Sequence, residues 1–334
     1  MTAPIPTAPT FLYRDPAVFE RERQSIFARS WQFLGLEADL RRRGEYVAEI
    51  IAGFPVVVVR DEAGALRGYH NVCRHRAGPL VSDTKGRCDK EFVCRFHKWR
   101  YGFDGALRAA VNFSATDSLD LASVSLLPIQ VTAWRGLVFV NLDPTAGPLE
   151  TLFGPVAARL PERASRSASV RHSHTVACNW KVYVETYLEG DHLEGVHADQ
   201  GHHHEVFMDG EVALCGHTHA HHAPQDETAE ENLWAWVWPN LGLTVYRDTL
   251  MIEHIRPDGP DRTIVDHTFL HSPEDLGVDA AMDASEDITD AHAWVCERVQ
   301  NNLDAGVFTT GMLSPSREGA VAWFQAEVAR RVSA

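Results

Sequence analysis

Two short runs, Cys73-Arg74-His75 and Cys94-Arg95-Phe96-His97, are separated by eighteen residues and each carries one thiol and one imidazole. Four such ligands can hold a metal centre. A [2Fe–2S] cluster with two Cys on one iron and two His on the other needs this set, and two loops that each carry both types can each reach both irons. Structural zinc also takes mixed Cys/His sets, so ligand types alone leave both readings open. The spacing favours iron and sulfide: zinc fingers pair Cys with Cys and His with His, whereas here C-x-H faces C-x₂-H. Trp99, Tyr101, Gly102, Phe103 and Gly105, just after the second run, can form a tight apolar turn over a cluster. Such shielding matters because solvent exposure and hydrogen bonding set the potential.

A second constellation starts at Asn179-Trp180-Lys181 and continues through Glu185, Glu189, His192 and His197. Trp180, Val184 and Tyr187 or Leu188 form an apolar stripe at helical spacing, which leaves another face for ligands. Glu189 and His192 are neighbours on a helix of about 3.6 residues per turn, whereas His192 and His197 point apart. Both can meet one metal if the helix loosens at Gly190 or Gly195. The plain alternative is a polar helix face with surface imidazoles.

The elements that must position these groups can be read coarsely. At 334 residues, with 45% hydrophobic and 23% charged, the chain suits about two globular domains. A helix over Pro16–Phe33 leads into strand-like runs at Tyr46–Ile51, Pro55–Arg60, Leu66–Asn71 and Gly136–Asn141, the pattern of a small antiparallel β domain. After a division at Gly147-Pro148, a helix spans Ala177–Val196 and a histidine-rich loop Asp199–Glu231. That loop holds His202, His203, His204, His217, His219, His221 and His222, which no rigid spacing unites, and it reads as a solvated lid. Strands return at Leu233–Trp238, Leu243–Tyr246, Met251–Ile255 and Ile264–Phe269, and helices at Asp287–Leu303 and Arg317–Val332. Trp234, Trp236 and Trp238 would share one strand face as core, with a pocket wall as the alternative. A net charge of −15 argues against nucleic acid and anionic membrane as partners. No eighteen-residue apolar run occurs, the first ten residues lack a secretory pattern, and six scattered cysteines suit a reducing compartment, so the expectation is a cytoplasmic protein without a membrane span.

In combination, the two motifs and their order resemble Rieske non-haem iron oxygenases over nearly the whole chain, with a slightly long gap between His75 and Cys94. The resemblance implies an α+β fold: a small antiparallel β Rieske domain (41–148), and a catalytic domain (149–334) whose curved antiparallel sheet wraps a long helix in a helix-grip, START-like manner. Residues 1–40 would be a helical segment packing with the catalytic domain. It further implies a Rieske [2Fe–2S] cluster on Cys73, His75, Cys94 and His97, and a mononuclear Fe(II) on His192, His197 and a late-helix carboxylate, with O₂ as co-substrate. Asp290 best fits the offset to Val299-Gln300 on a helix packed through Ile288, Val295 and Val299; Asp287 is its close rival, ahead of Asp283 and Asp304. Glu189 would bridge the two centres between subunits of a homotrimer, or a multiple of one, meeting His97 of one chain and His192 of the next. Electrons would come from a flavin and iron–sulfur reductase, directly or through a ferredoxin, since no nucleotide-binding glycine fingerprint is present. Glu at position 189 leans the reading to monooxygenation or oxidative N-demethylation of a small substrate. An aromatic-ring dihydroxylating dioxygenase is the alternative, and a Rieske electron-transfer protein without oxygenase chemistry is the rival of another class.

Overall fold

The computed structural model describes residues 3–113, 118–157, 160, 168–192, 205–216, 233–246, 249–272 and 278–333. The chain forms two compact units, one from Phe27–Leu149 and the other from Met1–Ile26 with Glu150–Ala334. The leading segment that belongs to the second unit therefore ends near residue 26 and not 40. The expected helix over Pro16–Phe33 also breaks up: Pro16–Glu22 is α-helical, Arg23–Phe27 is a π-helical turn, and Gln32–Leu36 is a strand paired with Leu137–Asn141. Backbone pairing within the sheet overrides the helical periodicity there.

The Phe27–Leu149 unit is built on antiparallel strands in the order Gln32–Leu36, Leu137–Asn141, Pro128–Trp134, Leu66–His70, Phe54–Arg60, Glu45–Ile51 and Lys85–Arg87. Phe54–Arg60 reads as an apolar run because Val56, Val57, Val58 and Val59 are all fully buried, on both faces of a central strand. A smaller sheet of Phe92–Val93, Arg100–Tyr101 and Leu107–Ala109 carries the second Cys/His run at its turn. Gly105 sits at φ +84°, and a Cβ there would lie 2.7 Å from the Tyr69 ring, so only glycine fits this turn.

The other unit is centred on an antiparallel sheet in the order Ala168–Val176, Thr263–His271, Thr249–Pro257, Leu241–Tyr246, Leu233–Val237, Val212–Gly216 and Glu205–Asp209. The last two strands form a hairpin inside the stretch expected to be a loop. The clustered histidines at 202–204 and 217–222 lie outside the described residues. The long helix Val278–Asp304 and the shorter Trp180–Tyr187 pack together, with Cys296 Sγ 3.8 Å from Val182 O and Gln300 Oε1 accepting from Asn179 N–H. Trp236 is buried edge-to-face and Trp238 tilted against Phe324 of the terminal helix Gly319–Ser333, so these two are core. Trp234, on the same strand face, stacks on Tyr187 instead.

The run Asn179-Trp180-Lys181 now has a physical reading. Asn179 caps the helix Trp180–Tyr187, its side chain accepting from Lys181 N–H and donating through Nδ2 to Pro260 O. The Trp180 indole and the Lys181 ammonium both donate to Glu22, at 2.9 and 2.5 Å. All three side chains are buried, and burial pulls the Lys181 ammonium below its usual range although Glu22 opposes this. One turn on, Glu185 accepts from Tyr13 and from Gln325, and burial pushes its carboxyl up to about 7 despite those bonds.

Breaking one half of such a pair leaves a bare buried charge, so Lys181→Met should cost about 3–5 kcal/mol in urea unfolding. The double variant Lys181→Met, Glu22→Gln should be less damaged than the sum of the two single changes. Glu185 gives a pH signature: its folded value of about 7 exceeds its unfolded value of 4.5. The stability it contributes is complete below pH 4.5 and lost as pH rises through about 7. Unfolding midpoints measured across that window should flatten in Glu185→Gln.

Candidate active site

The two Cys/His runs share one backbone figure. Ala77 N–H donates to Cys73 O and Cys73 N–H to Gly78 O; Lys98 N–H donates to Cys94 O and Cys94 N–H to Trp99 O. The fourth residue after each Cys is left-handed, Ala77 at φ 55° and Lys98 at φ 60°. Each loop thus turns back on its own cysteine and presents thiol and imidazole on the same side. Cys73 and Cys94 are buried, and burial raises the Cys73 thiol. The His75 and His97 rings meet edge-on at 4.5 Å. Burial lowers His97, helped by His75 and Arg76.

These residues fit a [2Fe–2S] group. His75 Nδ1 and His97 Nδ1 are buried with no hydrogen-bond partner among the described residues, a costly state for two adjacent imidazoles unless each Nδ1 is a ligand atom. Pairs of ligands also suit a two-iron cluster better than a single ion. Among the described residues no three His, Cys, Asp or Glu side chains converge as a one-metal site. Around the cradle, Trp99 stacks on His75 at 4.8 Å, and the Tyr101 hydroxyl lies 3.3 Å from Cys73 Sγ while accepting from Arg74 N–H. Asn112 holds both the Trp99 indole (2.6 Å) and the outer edge of His75 (3.4 Å). Asn112 was not legible in the sequence, since it acts across a turn from both partners.

In the other unit, the helix Trp180–Tyr187 ends well before residue 196, and Glu189 and His192 lie just beyond it. Glu189 Oε1 is 2.6 Å from His192 Nδ1, and Glu189 Oε2 accepts from the backbone N–H groups of Asp191 and His192. Burial works to raise the Glu189 carboxyl, but the His192 ring and those N–H groups hold it below the usual range. With Nδ1 engaged by a carboxylate, His192 Nε2 is the atom offered inward, the arrangement of a metal-ligating histidine. His197 lies outside the described residues.

Nearby, the sheet face contributes Glu253 and His267, direct partners across the strands Thr249–Pro257 and Thr263–His271. Tyr187 donates to Glu253 Oε2, and His267 Nε2 lies 3.0 Å from the same oxygen, while Glu253 Oε1 has no hydrogen-bond partner among the described residues. Gly242 makes room for this contact, because a Cβ there would sit 2.7 Å from the Tyr187 hydroxyl. Burial raises Glu253 and lowers His267, but each is overruled by the other: Glu253 is held low and His267 high.

The late-helix carboxylate requires a correction. Asp290 is exposed and is not brought to His192, and Asp287 and Asp283 are exposed as well. Asp304 pairs with Arg14. The helix packs through Thr289, His292, Cys296, Gln300 and Leu303, not through Ile288, Val295 and Val299; Val299 is 39% exposed. A one-residue error of phase rotates every side chain by about 100° and carries Asp290 away from the interior. The residue presented to His192 is His292, with the two Nε2 atoms 3.0 Å apart.

Comparison with known proteins gives two family matches: "Rieske [2Fe-2S] domain" over residues 30–122 and "Ring hydroxylating alpha subunit (catalytic domain)" over residues 162–334, just over half of the chain. A carnitine monooxygenase oxygenase subunit of Acinetobacter pittii is 32% identical over 195 residues, 57% of this chain and 52% of that protein. The match thus spans about half of that relative's length. Chloroplastic choline monooxygenase of Beta vulgaris is 25% identical over 325 residues, covering 91% and 72%. Among solved structures, the quaternary ammonium Rieske monooxygenase CntA with L-carnitine superposes with TM-score 0.84 at 25% identity, over 98% of this chain and 96% of that one. Naphthalene 1,2-dioxygenase shares the fold, with TM-score 0.77 at 17% identity over 98% and 92%.

The Tyr101 hydroxyl can donate to Cys73 when that sulfur is a thiolate, which favours the more negative, reduced cluster. Tyr101→Phe should keep the cluster spectrum and lower its potential by up to about 60 mV, the one-electron equivalent of a charge-assisted hydrogen bond of about 1.5 kcal/mol. Redox titration followed by visible circular dichroism reads this directly, and an unchanged potential would remove Tyr101 from the tuning shell.

Proposed function

The chain belongs to the ring-hydroxylating alpha-subunit family and carries a Rieske domain, and from that premise we propose that it is a terminal oxygenase acting on a small cationic methylated amine. The cofactors of this family are a [2Fe–2S] cluster and a mononuclear iron: when bound, the cluster would supply single electrons and the iron would activate O₂. Cys73, His75, Cys94 and His97 would hold the cluster, and His192 and His197 the iron. Their two ligand sets belong to different units of the chain.

The observation that carries this reading is the Glu189–His192 pair, which fixes one imidazole with Nε2 facing a buried interior. Glu189 orients the ring and accepts from Nδ1–H, and as the carboxylate bonded to that ring it is suited to couple electron arrival to proton position. We further infer a ring of three chains, in which Glu189 faces His97 of the next chain. A structure of the CntA relative is described as revealing inter-subunit electron transfer. A closed heterologous ring is an allowed symmetry. A flavin and iron–sulfur reductase would deliver the electrons. Among the described residues no helix is long and apolar enough to cross a membrane.

The interior supports a cationic substrate class. Glu253 is a buried carboxylate whose Oε1 has no hydrogen-bond partner within bonding distance among the described residues, and Tyr187 and Trp234 stack beside it. Aromatic faces and a buried carboxylate together attract a quaternary ammonium. The carnitine and choline monooxygenase relatives point to the same class. Hydroxylation of an N-methyl carbon inserts one oxygen atom from O₂, the other leaving as water with two electrons and two protons. The N–CH2OH carbinol then breaks its C–N bond, releasing formaldehyde, a proton and the demethylated amine.

With a competent reductase, a panel of trimethylammonium compounds should drive O₂ uptake with matching product formation, while aromatic acids should not. Uptake with arenes and cis-diol products would establish the dioxygenase alternative instead. Glu189→Gln should keep both iron centres and lose coupled turnover by about 10- to 100-fold, the usual scale for an outer-shell partner of a metal ligand. Light scattering of the purified protein tests the three-chain ring.

A further inference from the structure

Two imidazole nitrogens facing each other across a buried interior raise a sharper question about the iron. His192 Nε2 and His292 Nε2 are 3.0 Å apart, with the rings inclined at 62°. A neutral hydrogen bond between them is one explanation, with His292 as donor. The other is a shared cation: ligand nitrogens about 2.1 Å from one metal and at right angles to each other are separated by about 3.0 Å. The two explanations differ in what each nitrogen carries. Glu189 already engages His192 Nδ1, so His192 Nε2 bears a lone pair in both.

We propose that His292 is the protein ligand contributed by the long helix, so that the mononuclear iron is held by histidines, His192 and His292 together with His197, and by no carboxylate from that helix. This rests on the oxygenase reading above. Three observations support it. His292 belongs to the buried face Thr289, His292, Cys296, Gln300 that packs on the ligand segment, whereas every nearby acidic residue of the helix named above is exposed. Its ring reaches the metal-facing nitrogen of His192 and not the other one. The negative charge that a carboxylate ligand would have brought is present on the facing sheet, where Glu253 lies within Coulombic reach of His292. Three imidazoles leave the bound iron with its full double positive charge, and Glu253 is the buried anion placed to offset it without coordinating.

The test uses the intact holoprotein and counts iron against acid-labile sulfide. Wild type should hold one iron more than its cluster accounts for. His292→Ala should lose that iron equivalent while the Rieske spectrum persists; Asp290→Ala should retain it; His292→Asp should recover iron by supplying a carboxylate at the same place. Since His292→Ala could also disturb packing, a second measurement needs no variant: pulsed EPR of the nitric oxide adduct of wild type should show couplings from three imidazoles, reduced to two in His292→Asp. Two couplings in wild type, or full iron retention in His292→Ala, would overturn the assignment while leaving the oxygenase reading intact. Loss of iron in Asp290→Ala would return the role to Asp290. A wild-type protein with cluster iron alone would overturn both this assignment and the function it rests on.

Discussion

A single buried carboxylate, Glu22, receives both the Trp180 indole and the Lys181 ammonium. Neither charge could persist in that interior alone, because an unpaired buried ion costs several kcal/mol. The pair therefore ties the start of the ligand-bearing helix to the amino-terminal segment at one fixed depth. Asn179 sets where that helix begins, and Tyr13 and Gln325 reach Glu185 one turn later. The consequence appears at the other end of the same helix, where Tyr187 meets Glu253 and the chain turns into Glu189 and His192. Positioning of His192 thus begins with an ion pair at Lys181, eleven residues before it.

Both candidate centres are organised on a common principle: a ligand atom is selected by engaging the atom that is not a ligand. Glu189 occupies His192 Nδ1 and leaves Nε2. Asn112 approaches His75 Nε2 and leaves Nδ1, which is buried without a partner among the described residues. Opposite nitrogens are thereby left open in the two units, His75 Nδ1 in one and His192 Nε2 in the other. Hydrogen bonds of this kind also stiffen the ring, so less reorganisation accompanies a change in charge at the centre.

The interior behind His192 is polar in a way that a simple hydrophobic pocket is not. His267 and Tyr187 share one oxygen of Glu253, and Gly242 is small because the Tyr187 hydroxyl takes the space of a side chain. Such an arrangement favours a cationic guest over a neutral arene. It also gives a reason for the alternation of tryptophans on one strand: Trp236 and Trp238 complete the core against Phe324, while Trp234 extends the wall formed by Tyr187.

Short-range patterns were legible from the residues alone. The Cys and His within each of the two runs Cys73–His75 and Cys94–His97, the helical stripe that starts at Trp180, and Glu189 beside His192 lie within a few residues of one another, and local spacing constrains them. Four strands of the Phe27–Leu149 unit, at Glu45–Ile51, Phe54–Arg60, Leu66–His70 and Leu137–Asn141, and the late strands were also visible as apolar runs. What required the tertiary structure was phase and long-range pairing. Ile288, Val295 and Val299 describe an apolar stripe on the long helix as well as Thr289, His292 and Cys296 describe its buried one, and only packing against Val182 and Asn179 chooses between them. That choice removes Asp290 from the interior and admits His292, a hundred residues from His192 in sequence. Glu22 with Lys181, and Tyr187 with Glu253, are likewise invisible to local spacing, because a buried charge reveals its partner only when the chain between them has folded.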